Sequence, residues 1–255
     1  MNEWTDQAIV LRMGHFRDTD IWLKVLFRHK GLLTVFAFGA SHSRRRFCGC
    51  LDILNTLRCY VRTSGRQRFL NLTEAELLSG PAGLRTNWQR NGLAANCLRF
   101  AEALGVNAES AEETFVLMED LRHTLDGEHE LPALLPLFFR LRFACAQGFA
   151  PALDHCSVCG APAGENILFR MDEGQLVCPA CTGLAGAPGG GQDRYSVRLP
   201  GRALATMRQI QQGLPSDWSS DPMPWQERQA VARAIDGFVQ YHLGLMWDNG
   251  YFRRV

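Results

Sequence analysis

Two cysteine pairs constrain this chain more than any other feature. Cys156-Ser-Val-Cys159 and Cys178-Pro-Ala-Cys181 stand eighteen residues apart. At that spacing two tight turns present four thiolates to one tetrahedral Zn²⁺. Gly160 follows the first pair, where the turn needs a backbone tolerant of positive φ. Between the pairs, Ile167–Met171 and Gln175–Val177 flank Asp172-Glu-Gly174, which predicts a hairpin of short strands. The reading is a zinc ribbon over residues 154–184, with Cys156, Cys159, Cys178 and Cys181 as ligands of one structural ion. Two disulfides, or four unrelated thiols, are the alternatives. Four thiolates fill the coordination sphere and leave no position for a reactive water, so the metal's expected role is to hold the chain together.

Five further cysteines (Cys48, Cys50, Cys59, Cys97, Cys145) are scattered and odd in number, and no apolar leader follows Met1. Both points favour a reducing cytoplasm over a secreted disulfide framework. The most apolar run, Leu131–Ala146, is too short to span a membrane and contains Pro132, Pro136, Arg140 and Arg142. At 255 residues with 46% hydrophobic and 21% charged side chains, the chain can fill a real core.

Charge is unevenly placed. Residues 1–80 carry twelve Lys/Arg against seven Asp/Glu, a balance of +5, whereas the remainder carries fifteen against nineteen, −4. A polyanion is therefore expected to meet the first eighty residues. These read as five short strands, at 8–12, 21–27, 32–38, 51–61 and 68–78, with a tight turn at Arg28-His-Lys-Gly31. Five strands in so short a segment fit a small closed barrel of the OB type, with a sandwich fragment as the alternative. Between the third and fourth strands lies Gly39-Ala-Ser-His-Ser-Arg44-Arg45-Arg46-Phe47. Three successive arginines cannot share one face of a strand, so they belong on a loop, where OB barrels grip single strands. Arg12, Lys24, Lys30, Arg62, Arg66 and Arg68 extend the basic surface. A solvated loop without a partner is the competing reading. Trp22, Phe36, Phe38, Phe47 and Tyr60 are either stacking platforms or barrel core.

After Pro81-Ala-Gly83 the apolar period becomes helical over 84–105, 110–125 and 131–148, and again over 200–213 and 224–246. The fold class is therefore α+β: an OB barrel over 1–80, then a mostly helical domain over 81–255 with the ribbon inserted. Residues 131–146 are apolar nearly all round, which predicts a buried helix. The glycine-rich stretch 183–193 reads as a linker, the basic tail 251–255 as frayed, and His242 as a packed side chain. No Gly-x-Ser-x-Gly, His-Glu-x-x-His, phosphate-cradling loop or deaminase set occurs, so a binding protein is expected rather than an enzyme.

The whole arrangement resembles the RecO family of bacterial DNA repair proteins. The resemblance is carried by Ala8-Ile-Val-Leu-Arg12, Asp18-Thr-Asp20, Gly31-Leu-Leu, the 39–47 basic segment, Leu72-Thr-Glu-Ala-Glu76, Phe149–Gly160 with the cysteines, and Phe238-Val-Gln-Tyr-His-Leu243. Departures fall at Arg17-Asp18, where Gly-Glu is usual, and at Phe38 and Ser41-His42, where basic residues are common. The resemblance implies a recombination mediator that binds single- and double-stranded DNA, anneals complementary strands and works with RecR. It also implies help in loading RecA on strands coated by single-stranded-DNA-binding protein, in the cytoplasm at the nucleoid. The acidic, Phe-ended tail of that coating protein is expected on the helical region. Arg140 and Arg142, amid Phe138, Phe139 and Phe143, are the candidates to receive it, or else they form surface ion pairs. An RNA-binding or ribosome-associated barrel-and-ribbon protein is the alternative.

Overall fold

The computed structural model describes residues 3–63, 69–182 and 195–254. Five strands, β1 (Glu3–His15), β2 (Ile21–Phe27), β3 (Gly31–Ala37), β4 (Thr56–Thr63) and β5 (Leu70–Ser79), close into a barrel in the order β1-β2-β3-β5-β4. β1 is longer than its apolar stretch because it has two partners. Its first half pairs with β4, Glu3 opposite Arg62 to Ile9 opposite Thr56, and its second half with β2, Ala8 opposite Phe27 to His15 opposite Ile21. The join between β3 and β5 is parallel and the others are antiparallel. This is an OB barrel, as the strand pattern predicts. Side chains alternate in and out along each strand: Leu23, Val25 and Phe27, Val35 and Ala37, Leu57, Cys59 and Val61 fill the interior.

The expected fourth strand at 51–61 starts late. Leu54 adopts a left-handed φ of 63°, and the Asn55 side chain donates to the Cys50 carbonyl at 2.7 Å, so 51–55 form a loop. Gly31, at φ 78°, starts β3 where a side chain would overlap the Val106 carbonyl; Leu32 N donates to that same oxygen at 2.9 Å.

Two helices, α1 (Trp88–Leu104) and α2 (Ala111–Asp126), belong with the barrel in one compact unit, Met1–Glu128. The change from strands to helices falls earlier, between Ser79 and the short 3₁₀ turn Leu84–Thr86. Asn87 caps α1 by accepting from Arg90 N at 3.1 Å. Asp126 accepts from the N–H groups of Leu84 and Ala82 at 2.8 and 3.3 Å. Burial opposes its ionisation, but these backbone donors outweigh it and hold the carboxyl below the ordinary aspartate value.

The second unit, His129–Val255, holds α3 (Leu135–Ala146), the hairpin β6 (Ile167–Arg170) and β7 (Gln175–Val177), β8 (Ser196–Leu199), α4 (Gly201–Gln212) and α5 (Trp225–Leu243). The apolar α3 is buried among its neighbours, packing on α4 and α5. β8 adds a third strand beside β6, which the spacing does not predict. The expected linker at 183–193 lies outside the described residues. Gly244, at φ 60°, ends α5 before the predicted 246. The chain then forms a hairpin, β9 (Leu245–Asp248) and β10 (Tyr251–Arg254). The tail is thus paired through residue 254 instead of frayed. Among the described residues, no helix is long and apolar enough to cross a membrane.

Candidate metal centre and nucleic-acid interface

The hairpin β6–β7 brings the two cysteine pairs together. The Sγ atoms of Cys156, Cys159, Cys178 and Cys181 all lie within 4.8 Å of one another, and Cys159 and Cys178 are 3.8 Å apart. Tetrahedral thiolates about 2.3 Å from a zinc ion sit roughly 3.8 Å apart, whereas a disulfide needs about 2.05 Å. All four are free thiols, so the donor set and spacing fit a metal ion and not two disulfides. Gly160 takes φ 71° and donates to the Cys156 carbonyl at 2.9 Å, and Cys181 N donates to the Cys178 carbonyl at 3.0 Å. These are the two predicted turns. Backbone N–H donors from Cys178 and Cys159 pull Cys156 down to about 6. Hydrogen bonds and charge from Cys178 and Cys159 push Cys181 up to about 12. Thiols crowded this closely cannot all ionise without a cation among them.

The basic loop is pinned at both ends and exposed in the middle. Gly39 (φ 66°) donates to Asp20 Oδ1 at 2.7 Å. Phe47 and Cys50 are buried in the barrel core, and Ala75 N donates to the Arg46 carbonyl at 2.9 Å. Arg46 is spent locally: its Nη2 donates to the Phe38 carbonyl at 2.7 Å and its guanidinium lies 5.1 Å from the Phe47 ring. Arg44 and Arg45 are exposed. Among the described residues neither guanidinium has an ion-pair or hydrogen-bond partner.

The other predicted cations are placed differently. Arg12 and Lys24 converge on one carboxylate, Glu102 of α1, at 3.1 and 2.8 Å. Burial works against ionisation of Glu102, but these two cations prevail and hold it below its ordinary value. Arg62 binds Glu3 at 2.6 Å, and Lys30 lies 5.6 Å from the Trp4 ring. Arg66 and Arg68 lie outside the described residues. Spacing along the chain could not reveal Glu102, because it comes from another element some eighty residues on. Of the aromatic candidates, Phe47 is core, whereas Trp22, Phe36, Phe38 and Tyr60 point outward.

On α3 the predicted tail pocket is not an open one. Phe139 is fully buried, and Arg140 and Arg142 nearly so. Arg140 Nη1 bonds Asp236 Oδ1 at 2.7 Å, with its guanidinium 4.9 and 5.9 Å from the rings of Phe252 and Trp247. Arg142 Nε donates to the Gly213 carbonyl at 3.1 Å. A cation meant to receive a peptide carboxylate must face water; these face their own fold, and the ion-pair alternative describes Arg140 better. His242 is a packed residue as expected, its Nε2 3.0 Å from the Met171 carbonyl.

An OB barrel with an exposed arginine loop, followed by helices and a four-cysteine ribbon fit for a metal ion, defines the class of protein. Residues 1–81 match the family described as "Recombination protein O N terminal" and residues 85–249 "Recombination protein O C terminal". Similar curated proteins include "DNA repair protein RecO" of Nitratidesulfovibrio vulgaris, 42% identical over 99% of this chain and all of that protein. That of Lawsonia intracellularis is 37% identical over the same shares, and that of Myxococcus xanthus 29% identical over 96% of this chain and 94% of that protein. The chain belongs to the RecO family of DNA repair proteins.

Proposed function

We propose that this chain is a recombination mediator without catalytic turnover, acting at the nucleoid in the cytoplasm. It binds single- and double-stranded DNA, anneals complementary strands and works with RecR to load RecA on strands coated by single-stranded-DNA-binding protein. The observation that carries the reading is the match of both halves of the chain to the two RecO domains. Arg44 and Arg45 are exposed, and their guanidiniums are open to phosphates. Neutralising phosphate releases counterions, so binding is sequence-independent and weakens with salt. Neutralising two strands at once lowers their mutual repulsion, which annealing requires. Arg12, Lys24 and Arg62 are already paired with carboxylates, so they rank below the loop as phosphate contacts; Lys30 is exposed and contributes from the barrel rim.

Zinc is the ion we assign to the cysteines, and once bound it supplies four metal–thiolate bonds that fix the ribbon. Cys156, Cys159, Cys178 and Cys181 would hold it. The coating protein's tail is assigned to the unit His129–Val255. There Arg140, Arg142 and Phe139 support the receiving surface from beneath instead of lining it.

Fluorescence anisotropy of a labelled single strand across a salt series tests the reading. The Arg44/Arg45/Arg46→Ala protein should bind more weakly, with the slope of log K against log salt flattened by about 1.4 units, roughly 0.7 for each of the two open guanidiniums. An unchanged slope would move the DNA elsewhere on the barrel, and a wild type that ignores DNA but binds structured RNA would end the mediator reading.

A further inference from the structure

Four phenylalanines meet on the outside of the barrel, where its core has no use for them. Along β3, Val35 and Ala37 point inward, so the period of two turns Phe36 and, just past the strand, Phe38 outward. Phe16 follows β1 and Phe69 precedes β5, and β5 runs parallel beside β3 with Val35 opposite Leu70. Three separate parts of the chain therefore deliver one aromatic cluster. Phe36 is its hub, 5.4 Å from Phe16, 6.4 Å from Phe38 and 5.2 Å from Phe69, centroid to centroid. Trp22 is its cross-strand neighbour on β2.

The cluster is open to water. Phe16 and Phe38 are 39% exposed and Phe69 46%, an apolar patch of the kind that marks a binding surface. The rings of Phe36 and Phe38 are stacked, with planes 18° from parallel, and form a step of two rings. The rim is cationic. The Arg17 guanidinium sits 5.6 Å from Phe16, that of Arg12 5.5 Å from Trp22, and Arg46 is bonded to the Phe38 carbonyl. The basic loop thus begins where the aromatic step ends. Flat apolar rings bordered by guanidiniums match a strand that offers base faces and phosphates together. An acidic, aromatic-ended peptide would answer the rings at one point only, whereas a single strand offers base faces and phosphates along its whole length.

We propose that Phe16, Phe36, Phe38 and Phe69 form a stacking platform for unpaired DNA bases, and that this platform makes the barrel prefer single strands to duplex. The inference rests on the DNA-binding reading above and deepens it. Arginine contacts to phosphate do not discriminate, since both forms of DNA carry phosphates; in a duplex, however, the base faces are stacked on one another and cannot reach the rings.

The test compares binding of a labelled thymine 20-mer, an abasic 20-mer with the same phosphates and a 20-base-pair duplex, at one salt concentration. Phe38→Ala and Phe69→Ala should each weaken thymine-strand binding on the order of tenfold. Duplex and abasic binding should change less than about twofold, the salt slope should hold, and Phe38→Trp should restore affinity. Both side chains are half-exposed, so melting temperatures should hold; if one variant is unstable, the other carries the comparison. Equal losses on thymine strand and duplex, or no loss on the thymine strand, would overturn the platform while leaving the DNA-binding reading intact. A wild type that binds no DNA would overturn both, and tighter binding of a uracil RNA 20-mer than of its DNA counterpart would overturn the assignment to DNA.

Discussion

The barrel and the cysteine ribbon are both small β structures, but only one of them has a core. Among the described residues, sixteen buried side chains cluster inside the barrel, whereas the ribbon's own cluster consists of Cys156, Val177 and Cys181. Alternation along β6 shows why. Ile167 and Phe169 are fully buried, with Phe169 6.3 Å from Phe238 of α5. Leu168, on the opposite face, packs against Val177 and the thiols. Burial of one or two aliphatic side chains is worth a few kcal/mol at most, less than the entropy of ordering the two cysteine turns. The proposed metal would act where burial stops being sufficient. The lesson is that the same strand is held by packing on one side and, on the other, meets four thiols placed to share an ion.

The largest effect should come from removing the metal. Chelation, or Cys159→Ser, should abolish amide-exchange protection across residues 156–181 and leave the barrel's protection in place, because ion binding in small ribbons is worth on the order of 10 kcal/mol. A Cys159→Ser protein that lacked zinc and kept both its ribbon protection and its melting temperature would erase the contrast. Next comes Phe27→Ala. Phe27 is fully buried and meets Trp4 edge-on at 4.9 Å, so the cavity should cost about 3–5 kcal/mol in urea unfolding of the barrel. Zinc affinity should not change; a parallel loss of zinc affinity would show the two regions to be coupled.

The smallest effect sharpens the picture at the barrel's end. Asp126, held below its ordinary value by the Leu84 and Ala82 N–H groups, contributes stability above the unfolded-state value. That stability is lost as the pH falls through the folded value. Asp126→Asn should therefore lower the melting temperature slightly at neutral pH and flatten its decline on acidification. A variant with the wild type's acid limb would remove Asp126 from that role.

How much of this could be read from residues alone depended on range. The cysteine turns, the β2–β3 hairpin and the buried α3 are local, and spacing reveals them. Glu102, which captures Arg12 and Lys24, is not local, so a basic surface looked broader in the chain than in space. β8 reaches β6 from beyond the ribbon. Leu245, Met246 and Trp247 continue the apolar spacing of α5, but Gly244 turns left-handed and Asn249-Gly250 closes a hairpin. The outward phenylalanines were partly visible, as Phe36 and Phe38, while Phe16 and Phe69 gained meaning only once the barrel set them side by side.

That terminal hairpin has a consequence for synthesis. Every strand of the barrel has been made by residue 79, so the amino-terminal unit can begin folding while the ribosome is still extending the chain. The Arg140 guanidinium pairs with Asp236 of α5, but it meets the rings of Trp247 and Phe252 only after the β9–β10 hairpin has been made. The second unit therefore closes around its buried cation long after the last strand of the barrel has left the ribosome.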